Sequence, residues 1–177
     1  MADKLKDLLA NDGIRMEILE IVRAIALPDC YIAAGCIRNL VWDTLHGIKT
    51  PLNDIDVVYF DPLEEDNQQA KKISAQLNKQ YPHLNWQVKN QAFMHLRNGD
   101  SPYKNTLDAM SYWPEQETAV AAALLDDGSI RIINSFALDS LYAGKITHNK
   151  KRLRTVFIHR IEAKNWLGVW PKLQVVG

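Results

Sequence analysis

Two short stretches carry the residue types from which a reaction centre can be built. The first is Gly35-Cys36-Ile37-Arg38-Asn39 and the second is Asn53-Asp54-Ile55-Asp56-Val57. Residues two apart on a strand share a face, so Asp54 and Asp56 project to one side, with Ile55 and Val57 on the other. Two carboxylates held that close repel each other unless something neutralises them. Mg²⁺ (or Mn²⁺) suits the pair, because it takes a few carboxylates and fills its remaining positions with water and substrate phosphate oxygens. A strand running into Gly35 and then a helix lets backbone approach a ligand closely. The helix start points unpaired N–H groups at the same spot, which suits a phosphate. Asp-x-Asp alone fits many surface strands, and Gly35 alone fits an ordinary turn. It is the order strand–Gly–helix, then strand–Asp-x-Asp, that supplies the minimum equipment for metal-assisted nucleotidyl transfer.

Those residues need elements to position them. Ile14, Ile18, Ile21, Val22 and Ile25 recur on one helical face, so a helix is expected from about Gly13 to Ala26, capped by Asn11 or Asp12 and ended by Pro28. Tyr31 to Ala34 reads as a buried strand, Ile37 to Leu45 as a helix stopped by Gly47, and Ile55 to Phe60 as a β-branched strand. A helix over Gln68–Gln80 and a strand over Trp86–Phe93 follow. Thr118–Leu125 and Ile130–Ile133, joined by Asp126-Asp127-Gly128-Ser129, give the clearest hairpin signal. A short helix over Ala137–Tyr142 and a last helix from about Lys151 to Leu167 close the chain. Strands interleaved with helices predict an α/β (α+β) fold, a small mixed sheet flanked by helices. One domain over residues 1–177 is expected, with a core at about 13–135 and a C-terminal helical segment at about 136–177.

The bulk numbers agree with a packed domain. The 177 residues are 47% hydrophobic and 24% charged, and no apolar run is long enough to span a membrane. Two cysteines, Cys30 and Cys36, are too few for a disulfide framework or a zinc site, and the five histidines show no metal spacing. A reducing, cytoplasmic setting is the expectation. Twenty-one basic groups balance 21 acidic ones, which argues against a general DNA binder. The balance hides a polarity, however. Residues 54–66 carry six acids and no base, whereas residues 144–177 carry eight bases and only Glu162 as an acid.

Gly35-Cys36 followed by Asp54-Ile55-Asp56 resembles the signature of the DNA polymerase beta-like nucleotidyltransferase superfamily. Ala34-Gly35-Cys36-Ile37-Arg38-Asn39 is similar to the opening of the CCA-adding tRNA nucleotidyltransferases, Gly-Gly-x-Val-Arg-Asp. More closely, nearly the whole chain resembles a bacterial family of nucleotidyltransferase-like proteins of unknown substrate. The resemblance runs through Gly35 to Trp42, Asp54 to Asp61, Trp86 to Ala92, Trp113-Pro114-Glu115 with Glu117 to Val120, and the spaced residues Phe157, Arg160, Lys164, Trp166, Trp170 and Pro171. It implies that Asp54 and Asp56 are the catalytic metal-binding pair. It also implies that Gly35 and Cys36, with Arg38 and Asn39, form the phosphate turn for a nucleoside triphosphate. Cys36 replaces the usual Gly or Ser, which removes a hydroxyl donor. The spacer of 17 residues before Asp54 is longer than the common pattern, so an extra loop is expected around His46 to Leu52.

A larger departure concerns the third carboxylate, which in the superfamily sits on a later strand. Trp86-Gln87-Val88-Lys89-Asn90-Gln91 has no acid. Asn90 is the residue expected at that place; its carbonyl can ligate a metal but cannot act as a base. Asp108, Glu115 and Glu117 are the substitutes on other elements. Lys89 is either a triphosphate contact or an exposed strand lysine. Arg38 at a helix start opposes the helix dipole, so a phosphate or carboxylate partner is expected. On the last helix, Leu153, Val156, Phe157 and Ile161 form an apolar face with Arg160 and Lys164 in its middle. Either the two cations snorkel to water or they reach the acidic site and substrate phosphates. Trp113, Trp166 and Trp170 are anchors for core or domain-edge packing, with base stacking as the alternative. Two readings result. One is a metal-dependent transferase of nucleoside monophosphate to an unknown hydroxyl, on a small molecule or protein rather than RNA. The other is a non-catalytic nucleotide-, RNA- or protein-binding member of the same fold.

Overall fold

The computed structural model describes residues 1–177. Its elements in order are α1 (Ala2–Ala10), α2 (Gly13–Ile25), β1 (Tyr31–Ala33), α3 (Gly35–His46), β2 (Asp54–Tyr59), α4 (Gln68–Gln80) and β3 (Asn85–Asn90). After a 3₁₀ turn at Gln91–Phe93 come α5 (Met94–Asn98) and α6 (Thr106–Met110). A second 3₁₀ turn, Gln116–Thr118, leads into β4 (Val120–Leu124), β5 (Ile130–Asn134), α7 (Asp139–Tyr142) and β6 (Lys145–Thr147). The chain ends with α8 (Arg154–Lys164), α9 (Trp166–Val169) and β7 (Gln174–Val176).

Five strands form one mixed sheet in the order β3-β2-β1-β4-β5. Only β2 and β3 run parallel, joined by α4 as the crossover helix. The remaining pairs are antiparallel. Strand alternation separates two apolar layers. Ile32, Ile55, Val57, Tyr59, Trp86, Val88, Val120 and Ala122 face a large core with α1 to α4. Tyr31, Ala33, Val58 and Ala121 face the other way, onto a smaller cluster with Met110. The carboxylates of β2 share the parity of Val58 and lie on this second face.

Several expectations need correction. Helix α1 was not foreseen, yet Leu5 and Leu9 are fully buried in the main core. The strand expected over Trp86–Phe93 stops at Asn90, whose side chain accepts from Ala92 N and turns the chain into a 3₁₀ helix. The hairpin begins at Val120 because Gln116–Thr118 is a 3₁₀ turn. The last helix does not run unbroken from Lys151 to Leu167. Asn165 adopts a left-handed φ of 48°, ending α8 and starting α9 at a new angle. The segment 136–177 is not purely helical either, since β6 and β7 pair in parallel within it. Its residues Leu141, Ile146, Phe157, Ile161, Trp166, Trp170 and Leu173 join the main core. Finally, the apolar face proposed for the last helix holds only in part. Phe157 and Ile161 are buried, whereas Leu153 and Val156 are 73% and 42% exposed.

Candidate active site

The turn between β1 and α3 is built around Ala34. Its N–H donates to Val120 O at 3.1 Å, tying the end of β1 to β4. Its carbonyl accepts from Ile37 N and Arg38 N at 3.1 and 2.8 Å, which begins the helix. Ala34 holds φ 56° and ψ −125°, a conformation that glycine adopts freely and alanine does not. Ahead of those first helical bonds stand the N–H groups of Gly35 and Cys36, the donors that a helix start leaves for an anion. A Cβ at Gly35 would lie 3.6 Å from Asn39 Nδ2 and 3.7 Å from Arg38 Nη2, so both side chains reach back over the turn.

The structure thus puts the special backbone at Ala34, one residue before Gly35. The Cys36 side chain is fully buried in the main core, and burial pushes its thiol up to about 12. Its carbonyl accepts from Arg15 Nε at 2.6 Å. Cys36 therefore offers the turn only its N–H. Arg15 is itself fixed by Asp12 at 2.6 Å, so a charged residue of α2 braces the turn from behind.

No carboxylate pairs with Arg38. It is buried, lies 4.5 Å from the ring of Trp42 and 4.3 Å from that of Trp166, and donates from Nη1 to Thr118 Oγ1 at 2.6 Å. Nε and Nη2 both donate to Asn39 Oδ1. Burial lowers the guanidinium to about 10, opposed by the field of Glu115, so Arg38 remains a cation at neutral pH. It carries its charge between two indole faces without an ion-pair partner.

The carboxylates stand beside this turn because β1 pairs with β2. Ala33 is opposite Asp56, so the strand residue next to the turn is the neighbour of the second aspartate. Asp56 is also close enough to influence both Arg38 and Cys36 electrostatically. In the parallel pairing with β3, Asp54 stands opposite Asn85 and Asp56 opposite Gln87, with Val58 opposite Lys89. Asn85, Gln87 and Lys89 therefore share the carboxylate face. Asn85 Nδ2 donates to Asp54 Oδ1 at 2.6 Å. Lys89 Nζ donates to Asp56 Oδ1 at 3.0 Å and to Gln87 Oε1 at 2.9 Å.

The same register places Asn90 on the opposite, core face, fully buried. Its amide bonds Asp61 N, Asp61 O, Ala92 N and Glu64, so it serves as a staple of the loop after β2. It does not stand with Asp54 and Asp56. Nor do the three acids from other elements. Glu115 is buried and bound by Arg160 Nε at 2.6 Å. Glu117 is buried and receives Thr147 N and Thr147 Oγ1, each at 2.7 Å. Asp108 accepts from Lys104 N, capping a local turn. No group of three or more His, Cys, Asp or Glu side chains is arranged to hold a metal. Two carboxylates on one face still fit Mg²⁺ or Mn²⁺, because such ions complete their shell with substrate phosphate oxygens and water.

The basic tail does fold back toward the turn. Trp166 stacks on Arg38, and Arg160 lies near enough to influence it while pairing with Glu115. Lys164 is exposed at the end of α8 and is not brought to the turn by any contact. Sequence reading missed Thr118, Asn85 and Gln87. It also missed Asp43, which accepts from Thr50 and from Trp170 Nε1, fixing the loop before β2 to the C-terminal segment. Asn85 and Gln87 have a signal, the alternation of β3, but it identifies a face only once the register is known.

Comparison with known proteins gives the family and the fold. The model of a nucleotidyltransferase family matches residues 20–175, and the chain belongs to that family. A search of curated proteins finds no match. Among solved structures, a protein whose NMR structure reveals a CCA-adding enzyme head domain shares 27% identity and a TM-score of 0.86, covering 98% of this chain and 94% of that one. A tRNA-processing enzyme in an apo form matches at 16% identity and a TM-score of 0.54, over 91% of this chain and 42% of that one. A tRNA nucleotidyltransferase complexed with a primer tRNA and an incoming ATP analogue matches at 16% and 0.50, over 90% and 46%. The chain thus spans less than half the length of these two larger enzymes, and the likeness to them is one of fold.

Proposed function

We propose that this member of the nucleotidyltransferase family transfers a nucleoside monophosphate from a nucleoside triphosphate to a hydroxyl acceptor, with residues 1–177 acting as one domain. The observation that carries the reading is the pairing of Ala33 with Asp56, which brings the start of α3 next to two carboxylates on one face. The N–H groups of Gly35 and Cys36 would hold phosphate oxygens, with Arg38 and Asn39 reaching over the same turn. Asp54 and Asp56 would hold Mg²⁺ or Mn²⁺, which when bound neutralises charge on the triphosphate. The acceptor oxygen forms a bond to the α-phosphorus while the bond to the leaving pyrophosphate breaks, and the hydroxyl proton passes to water. The protein's contribution is positioning and fixed charge. Lys89, on the carboxylate face itself, is the further cation open to the triphosphate in this reading; Arg160 would have to leave Glu115 to reach it, and Lys164 is held near the site by no contact.

The acceptor we favour is a small molecule or a protein side chain, in a cytoplasmic setting. No helix of the chain is long and apolar enough to cross a membrane. A second reading, nucleotide binding without transfer, is favoured by one observation: the β3 position opposite Asp56 is Gln87, which cannot accept a proton as a base.

The test incubates the protein with each labelled triphosphate, Mg²⁺ or Mn²⁺ and a cell extract, beside the Asp54→Asn/Asp56→Asn variant. Label transfer or pyrophosphate release that the double variant loses supports the transferase. Saturable nucleotide binding without turnover supports the second reading, and absence of binding refutes both.

A further inference from the structure

The face that carries the two aspartates also carries a positive charge of its own. Lys89 Nζ is 3.0 Å from Asp56 Oδ1, and its other contact is the neutral amide oxygen of Gln87 at 2.9 Å. Gln87 is the residue in register with Asp56. Thus the strand position best placed to add a third negative charge is neutral, and a cation sits against one of the two charges present. We propose that Lys89 is a resident counter-ion of Asp56 that makes divalent-cation binding depend on the triphosphate. This inference rests on the reading of Asp54 and Asp56 as metal ligands.

The physical case has three parts. With Asp56 already paired and no third carboxylate in reach, a divalent cation arriving alone must displace an ammonium and then sit beside it. Like charges at a few ångströms oppose that strongly. The pair is nonetheless not locked: the side chains of Lys89 and Asp56 are 40% and 25% exposed, and ion pairs in such surroundings exchange readily. Finally, a triphosphate brings several negative charges to the same face. Lys89 then leaves Asp56 for a phosphate oxygen, and no cation is left without a partner. Cation and triphosphate consequently bind with positive coupling, each raising the affinity for the other.

The test is a Mn²⁺ titration, with free ion followed by electron paramagnetic resonance, in the absence and presence of an α,β-non-hydrolysable triphosphate analogue. It compares the wild-type chain with Lys89→Met, Lys89→Arg and Asp56→Asn, each verified as folded by its melting curve. Lys89→Met should bind Mn²⁺ alone about three- to tenfold more tightly than wild type and lose the coupling by a similar factor. Lys89→Arg should behave as wild type, because the charge is kept. Asp56→Asn should lose Mn²⁺ binding by the protein alone and lose the coupling, the Mn²⁺ held by the analogue itself being subtracted with a protein-free titration. Unchanged Mn²⁺ affinity and coupling in Lys89→Met, with the analogue still bound, would overturn the counter-ion role and leave the functional reading standing. A wild-type chain that binds no analogue at any Mn²⁺ concentration would overturn both.

Discussion

Arg160 offers the sharpest separation between a structural cation and a substrate-binding one. Its Nε and Nη2 donate to the Glu115 carboxylate at 2.6 and 3.3 Å. The two ends are unlike, with side-chain exposures of 37% for Arg160 and 1% for Glu115. Removing the arginine therefore strands a buried carboxylate. The other cation acting nearby, Arg38, is committed to Thr118 and Asn39 and does not replace it. Stranding one member of a buried pair costs about 3–5 kcal/mol; water access from the Arg160 side reduces this to about 2–3 kcal/mol. In a domain of this size that corresponds to a melting-temperature loss of about 4–12 °C. Arg160→Ala is measured by urea unfolding beside Glu115→Gln and the double variant. Glu115→Gln combined with Arg160→Ala should recover half or more of the loss, because a neutral amide needs no counter-charge. A loss below about 1 kcal/mol, or no recovery in the double variant, would refute the reasoning. Loss of triphosphate binding by Arg160→Ala at unchanged stability would assign the side chain to substrate instead.

Two further outcomes follow from groups away from the carboxylate face. Asp100 is held by both Arg152 nitrogens and by Tyr103, and the Arg152 hydrogen bonds keep its carboxyl below the usual value of 3.8. The stability this lends is present above that value and is lost as pH falls through the lower folded-state value. Asp100→Asn should therefore cost about 2 kcal/mol near neutral pH, and the gap to wild type should narrow as denaturation is repeated toward about pH 3. A gap independent of pH would contradict the ion pair. Cys36 should resist iodoacetamide in the folded protein and react only after unfolding, because burial holds its thiol protonated with a value of about 12. Alkylation at the native rate of a free thiol would show that the turn opens to solvent.

What could be read from the sequence depended on how local its cause was. That Asp54 and Asp56 share a face follows from the two-residue period of any strand, and the structure keeps it. The helix start at Gly35 likewise follows from a strand, a glycine and an amphipathic run. Asn90 shows where such reasoning stops. The parallel strand β3 reaches β2 through a whole helix, so its register is set by tertiary packing, and a one-residue slip exchanges its faces. Reading Asn90 alongside Lys89 as a neighbour of the aspartates, and passing over Gln87, is that slip. That Arg38 is a cation at a helix start is readable from the sequence, but its partner Trp166 comes from a segment that only the fold brings near. The apolar stripe of α8 overreached at Leu153, which stands exposed at the N-cap position instead of entering the core. Helix α1 carried a usable signal, since Leu5 and Leu9 are one turn apart and both are buried.

The central claim is that the start of α3 and the β2 aspartates form one triphosphate site. A ¹H–¹⁵N chemical-shift titration with Mg²⁺ and the α,β-non-hydrolysable analogue addresses it without requiring turnover or a known acceptor. The amides of Gly35, Cys36, Asp54, Asp56 and Lys89 should shift together and saturably, and Asp54→Asn/Asp56→Asn should abolish the response. Shifts confined to other surfaces, such as the exposed groove of Arg154, Thr155, Ile158, His159 and Glu162 on α8, would contradict it, as would no shift at all.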